Sequence, residues 1–158
     1  MRLFLDTEFT DFIDSELISI GIVDENGREF YAEVTDFPRE RCSDFVLATV
    51  IPLLGQYSDT VTGTADLVAH RLVDWLEEYR EDGAIVCVDY ATDWHLFLDL
   101  LSLVPKDYDR SFITGQMIWT DLDQQRIGDW WSETKLPRHM ALYDARANRH
   151  GYDSENAY

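Results

Sequence analysis

The sequence is poor in cysteine and has no long apolar run. Its two cysteines, Cys42 and Cys87, are too few for a disulfide framework or a cysteine-rich zinc site. No stretch approaches the roughly 18 apolar residues of a membrane span. The first residues reach an acid at Asp6 directly after Leu3-Phe4-Leu5, which is not the pattern of a signal peptide. We therefore expect a cytoplasmic protein with no membrane partner.

Basic side chains are also scarce. Lys and Arg total 13 against 31 Asp and Glu, which gives a formal net charge of -18. This argues against a basic protein that coats DNA non-specifically by neutralising its phosphates, and against docking on an anionic membrane. A nucleic-acid ligand stays possible if metal ions or a local basic cluster supply positive charge.

The chain has the composition of an ordinary globular domain. It is 46% hydrophobic and 28% charged over 158 residues, which fits one domain with a substantial core. We predict a single domain over residues 1–150 and a polar C-terminal tail over residues 151–158.

Hydrophobic periodicity predicts a mixed α/β fold. The first three strands form an antiparallel meander with an Asn26-Gly27 turn, and helices then alternate with parallel strands. The predicted strands are Arg2–Asp6, Glu16–Val23, Arg28–Val34, Ala84–Val88 and one within Arg110–Trp119. The predicted helices are Ser43–Leu54, Thr64–Arg80, Ala91–Val104, Leu122–Trp131 and Met140–Arg149, with residues 55–63 as a loop.

The first candidate for chemistry is Asp6-Thr7-Glu8, at the end of an apolar strand. Alternate residues of a strand share a face, so Asp6 and Glu8 are expected to project together, as a hard divalent cation requires. The same Asp-x-Glu spacing recurs in Asp14-Ser15-Glu16 and Asp153-Ser154-Glu155, but neither ends an apolar run. We interpret those two as solvated surface.

Later segments add further candidates. Asp93 follows the predicted strand Ala84–Val88 and lies in the first turn of a helix, where an acid also suits the helix dipole. Asp89 shares this ambiguity. His139 and Asp144 lie just before and one turn inside the last predicted helix. The remaining histidines are interpreted as structural: His70, His95 and His150.

Taken in order, these motifs resemble the DEDDh exonucleases, the DnaQ-like group of 3′-to-5′ exonucleases with an RNase H-like fold. Phe4-Leu5-Asp6-Thr7-Glu8-Phe9, followed by Glu16-Leu17-Ile18-Ser19-Ile20-Gly21, is most similar to the small stand-alone bacterial exoribonucleases of this group. The resemblance spans residues 3 to about 150. It implies an RNase H-like α/β fold with a mixed central sheet.

The resemblance also implies a mechanism. Asp6, Glu8, Asp93 and Asp144 would bind two Mg²⁺ or Mn²⁺ ions, and His139 would be the general base that removes a proton from the attacking water. Four carboxylates and two divalent ions sum to zero charge, which lets an acidic protein accept a phosphate. Many relatives place Asn where this chain has Asp89, so Asp89 stays open as an alternative ligand to Asp93.

The implied partner is the 3′ end of a single-stranded nucleic acid, with RNA favoured by the resemblance. Expected substrate-binding residues are Phe9, Thr7, Arg138 and Arg146, the two arginines belonging to a locally basic segment between Thr134 and Tyr152. Two alternatives are the same chemistry on DNA and a non-catalytic acidic protein that mimics nucleic acid. A homodimer is left open.

Overall fold

A six-stranded mixed sheet forms the centre of the protein in the computed structural model, which describes residues 1–152. The spatial order is β4-β3-β2-β1-β5-β6. The strands β1 to β6 are Arg2–Phe9, Leu17–Asp24, Glu29–Val34, Val61–Gly63, Ala84–Val88 and Ile113–Met117. The first three strands pair antiparallel, whereas β4 runs parallel to β3, and β5 and β6 run parallel to β1.

Helices cover both faces of this sheet. The helices α1 to α5 are Asp44–Thr49, Ala65–Leu76, Ala91–Ser102, Gln124–Thr134 and Ala141–Gly151. Helices α2 and α3 pack on one face, and α5 packs on the other with α4 beside it. The larger core lies under α2 and α3 and includes Leu3, Leu5 and Phe97.

Strand alternation in β1 decides which side chains face which helices. Leu3 and Leu5 enter the core under α2 and α3, whereas Phe4 packs with Ala145 of α5. By the same alternation, Asp6 and Glu8 project from the α5 face and Thr7 from the α3 face. The strand thus sends its two carboxylates to one side of the sheet.

The predicted mixed α/β class, with a meander followed by parallel strands, is confirmed, and it is compatible with an RNase H-like fold. Two predicted elements are wrong. The predicted loop 55–63 contains β4, which pairs with β3 and is too short to show an alternating pattern. The predicted helix Ser43–Leu54 ends at Thr49, and a 3-10 turn over Ile51–Leu53 follows, because Pro52 has no N–H with which to continue an α-helix.

The first two residues of the predicted tail, Gly151 and Tyr152, belong to the fold. Helix α5 includes Gly151, and Tyr152 pairs with Leu122 and packs edge-on against Phe4 with ring centroids 5.3 Å apart. The rest of the predicted tail, with Asp153-Ser154-Glu155, lies outside the described residues. Within residues 1–152, no helix is long and apolar enough to cross a membrane.

Gly21 allows α5 to approach the sheet. It lies opposite Asp6 in the β1–β2 pairing, and a Cβ built there would collide with backbone atoms of Ala141 and Leu142. These two residues form the first turn of α5. The absence of a side chain at Gly21 therefore sets how close the start of α5 comes to Asp6.

We expect Gly21→Ala to destabilise the protein by about 3 kcal/mol, the upper end for overpacking, because the obstacle is backbone. Gly128→Ala is the matched control. Gly128 lies within α4 with no atom near the site of a Cβ, so alanine should stabilise by up to about 1 kcal/mol through helix propensity. Urea unfolding measures both changes. If both variants changed the free energy of unfolding equally, the close approach of α5 to Gly21 would be contradicted.

Candidate active site

Three separate segments bring carboxylates to one edge of the sheet. Asp6 and Glu8 come from β1, Asp89 and Asp93 from the junction of β5 with α3, and Asp144 from the first turn of α5. The carboxyl ends of the parallel strands β1 and β5 lie side by side, so residues that follow β5 meet the end of β1.

The five carboxylates form two groups that share Asp6. One group is Asp6, Asp89 and Asp93, and the other is Asp6, Glu8 and Asp144. In each group, one ligand oxygen per residue lies within 4.8 Å of the others. Carboxylate oxygens at such spacing are the ligands that Mg²⁺ and Mn²⁺ prefer.

Hydrogen bonds fix Asp93 on the α3 side of the sheet. Its Oδ1 accepts from the Thr7 hydroxyl at 2.6 Å and from the Thr7 backbone N–H at 3.1 Å, and Asp93 is only 3% exposed. Thr7 was expected to contact substrate. The structure instead buries it, because alternation in β1 turns its side chain toward α3, where the hydroxyl orients Asp93.

Asp89 is held from α5. Its Oδ1 accepts a hydrogen bond of 3.0 Å from the Asn148 side chain, which is itself buried. Asn148 follows Asp144 by one helical turn, so both side chains lie on the same face of α5. Sequence reasoning missed Asn148, although its position four residues after Asp144 is a signal that could have found it.

Asp144 and His139 are positioned by the start of α5. Asp144 Oδ2 accepts from the backbone N–H of Met140 at 3.1 Å. His139 has a backbone φ of 64°, in the left-handed region that non-glycine residues seldom occupy. Its half-buried ring packs edge-on against Phe45 at 5.0 Å. Strained backbone of this kind is concentrated at functional sites.

The crowded carboxyl groups hold their protons more tightly than usual. Burial raises the pKa of Asp6 well above its ordinary value, and the neighbouring carboxylates Asp93, Asp144, Glu8 and Asp89 raise it further. Burial followed by charge repulsion raises the pKa of Glu8 to about 8. Burial is also the main reason that the pKa values of Asp93 and Asp144 rise to about 7 and that the pKa of Asp89 is raised. The group therefore favours a bound cation.

His139 shows the opposite behaviour. Burial lowers the pKa of its imidazole, and the positive charge of Arg138 lowers it further. The ring is therefore neutral at physiological pH and able to accept a proton. Arg138 itself is exposed and lies over the ring of Trp131, 5.2 Å from its centroid.

An aromatic cleft adjoins the acidic group. A cavity of about 580 Å³ lies between Glu8 and His139, with walls that include Phe9, Phe12 and Phe45. Phe12 is 75% exposed and meets Phe9 edge-on at 5.4 Å, and Tyr90 stands beside Phe12 at 6.1 Å. Sequence reasoning named Phe9 for substrate binding. It missed Phe45 and Tyr90, which come from other parts of the chain.

Arg146 lies apart from this site. Its guanidinium forms two hydrogen bonds to the Glu29 carboxylate, at 2.6 and 2.7 Å, and a third to the hydroxyl of Tyr57. It was expected to bind substrate near His139. The structure places it on a different face of α5 from Asp144, because two residues along a helix turn the side chain by about 200°.

Comparison with known proteins finds a similarity limited to part of the chain. A segment of 55 residues, which is 34% of this chain, is 53% identical to proteins named 3′-5′ exoribonuclease from Mycobacterium tuberculosis strains CDC 1551/Oshkosh and ATCC 25618/H37Rv. The matched segment covers 33% of the length of these relatives. No protein-family model matches the chain.

Proposed function

We propose that the protein is a metal-dependent 3′-to-5′ exoribonuclease. The observation that carries the proposal is the meeting of five carboxylates from three segments in two groups that share Asp6. Structural acids are seldom gathered at such short spacing in partly buried positions, because their mutual repulsion costs stability unless a cation offsets it. The similarity of one segment to proteins named 3′-5′ exoribonuclease supports the same reading.

The residues present fit a pair of divalent cations. Asp6 would be shared between them, with Glu8 and Asp144 on one side and Asp93 or Asp89 on the other. All the candidate ligands are hard oxygens. Burial, and then repulsion between neighbouring carboxylates, raises the pKa values of Asp6 and Glu8, and a cation would offset that repulsion. When bound, Mg²⁺ or Mn²⁺ would acidify the attacking water and stabilise the leaving 3′ oxygen.

The remaining side chains would bind and orient the strand end. His139 would accept the proton of the attacking water, since its imidazole is neutral at physiological pH. His139 and Glu8 also line the same cavity. The exposed rings of Phe12 and Phe45 offer faces on which bases can stack. A cytoplasmic location stays a prediction, and a homodimer stays open.

The test is digestion of 5′-labelled RNA and DNA of one sequence, with Mg²⁺, Mn²⁺ or EDTA. We expect a ladder that shortens from the 3′ end, forms faster on RNA and disappears in EDTA. If DNA were shortened faster than RNA, the proposed substrate would be DNA. No shortening with any metal would overturn the nuclease and favour the acidic mimic, which metal should not stabilise.

Metal should stabilise the protein more at pH 8 than at pH 6. In the metal-free protein the site carboxyls have pKa values raised to about 7 and 8. The folded state therefore binds more protons than the unfolded state, and stability falls as pH rises from about 4 through 8. A cation that replaces these protons restores more stability at the higher pH.

Thermal unfolding with EDTA or 5 equivalents of Mn²⁺, at pH 6 and pH 8, measures the effect, with about 2–4 °C expected per kcal/mol in a chain of this size. A metal-induced shift that is equal at both pH values would contradict proton release from the site.

A further inference from the structure

A second cavity lies on a different side of α5 from the acidic group. It has a volume of about 670 Å³ and is bounded by the β2–β3 turn, α4 and α5. Four arginines line it, together with two carboxylates, one histidine and three aromatic side chains: Arg2, Arg126, Arg146, Arg149, Glu25, Glu29, His150, Phe4, Trp130 and Tyr152. We call it the arginine groove.

The charge of the arginine groove is opposite to that of the protein. Four of the 13 basic residues meet two of the 31 acidic residues there, in a chain of net charge -18. Glu29 is committed to Arg146 through two hydrogen bonds. The Glu25 carboxylate accepts from the backbone N–H of Arg2 at 2.9 Å. Among residues 1–152, no carboxylate pairs with the guanidinium groups of Arg2, Arg126 or Arg149.

Helix stability does not explain the position of Arg126. It lies in the first turn of α4, where the helix dipole disfavours a cation. Arg149 is different, since it lies in the last turn of α5, where a cation is favourable. Its NH2 nitrogen donates to the carbonyl of Glu25 at 2.9 Å, which fixes the guanidinium over the β2–β3 turn.

Two buried polar atoms border the groove without a partner. Within the part of the chain that the structure describes, neither the Arg2 Nε nor the Tyr152 hydroxyl has a hydrogen-bond partner. The Arg2 guanidinium lies over the Tyr152 ring, 5.5 Å from its centroid. Buried polar atoms of this kind normally have a hydrogen-bond partner, and a ligand oxygen in the groove would supply one.

We infer that the arginine groove binds a phosphate-bearing ligand. Guanidinium forks suit phosphate oxygens, Trp130 offers an aromatic surface beside them, and the volume admits a mononucleotide. The same chemistry is present in a free nucleotide and in the backbone of a nucleic-acid strand. The site is separate from the proposed nuclease centre and does not depend on it.

The experiment measures binding of AMP and inorganic phosphate by calorimetry in EDTA. Without metal the acidic group repels phosphate, so binding reports on the groove. We expect saturable binding that weakens about tenfold in Arg126→Gln and in Arg149→Gln, as for loss of one charge-assisted hydrogen bond. Arg71→Gln, an exposed arginine of α2, is the matched control and should bind like the wild type.

One further arm identifies the source of the phosphate. If a single-stranded DNA oligonucleotide displaces AMP at a lower concentration than AMP itself does, the groove binds a nucleic-acid strand. If the oligonucleotide does not displace AMP, the groove binds a free nucleotide.

Two results would overturn the inference. The first is no binding of AMP or phosphate by the wild type. The second is equal weakening by Arg71→Gln and Arg126→Gln, which would indicate only a general charge effect. Thermal unfolding of each variant confirms that a loss of binding is not a loss of fold.

Discussion

We expect Asp6→Asn to lower the rate of RNA shortening by about 1000-fold. A bound metal ion would supply several kcal/mol of transition-state stabilisation, and about 1.4 kcal/mol corresponds to a tenfold change in rate. Asp6 is the one carboxylate that belongs to both acidic groups. Its loss should therefore weaken both proposed cation positions, whereas loss of Glu8 or Asp93 should affect one. The measurement is the single-turnover rate on labelled RNA at saturating Mn²⁺.

The same variant should make the metal-free protein more stable. Burial and four neighbouring carboxylates oppose ionisation of Asp6, so a neutral side chain of the same shape removes a repulsion. In EDTA at pH 8 we expect the unfolding midpoint to rise by at least about 2 °C, the equivalent of about 1 kcal/mol. Mn²⁺ should then stabilise Asp6→Asn much less than the wild type.

Asp14→Asn is the matched control, since it makes the same change in another Asp-x-Glu sequence. Asp14 is exposed and lies 3.7 Å from Arg41, and it should affect neither activity nor metal-dependent stability. If Asp6→Asn retained most of its activity, or lowered stability in EDTA, Asp6 would be a structural residue and the shared-ligand assignment would fail.

Alternation in a strand made part of this site predictable. The spacing of Asp6 and Glu8 is enough to place both carboxylates on one face of β1. The same rule excludes Thr7 from that face, and the structure accordingly uses its hydroxyl to hold Asp93. A residue that lies between two candidate ligands in the sequence therefore does not have to contact the substrate.

Contacts between distant segments were not predictable in the same way. The hydrogen bond from Asn148 to Asp89 joins residues 59 positions apart, and it depends on how closely α5 packs on the sheet at Gly21. Arg146 shows the reverse problem. The net charge of its segment is visible in the sequence, but the partners that hold it, Glu29 and Tyr57, come from distant segments.

The general-base assignment is tested by His139→Asn. Asparagine tolerates the left-handed backbone at this position better than alanine, so the variant removes the imidazole with little added strain. We expect kcat to fall by about 100- to 10,000-fold, as for loss of a general base, with little change in KM. His139→Ala should lose stability as well, because alanine lacks the short polar side chain that helps histidine and asparagine to occupy the left-handed region.

The pH profile separates this role from metal binding. If His139 is the base, the neutral imidazole is the active form and kcat should fall as pH drops through the pKa of His139. Burial and Arg138 hold that pKa below its ordinary value. Arg138→Gln removes a positive neighbour and raises that pKa, which moves the acidic limb to higher pH. A limb caused by metal loss moves instead with Mg²⁺ concentration, so the profiles are compared at saturating Mg²⁺.

If the limb persists unchanged in His139→Asn, another group accepts the proton, and the strained backbone at His139 serves only to aim the Met140 N–H at Asp144.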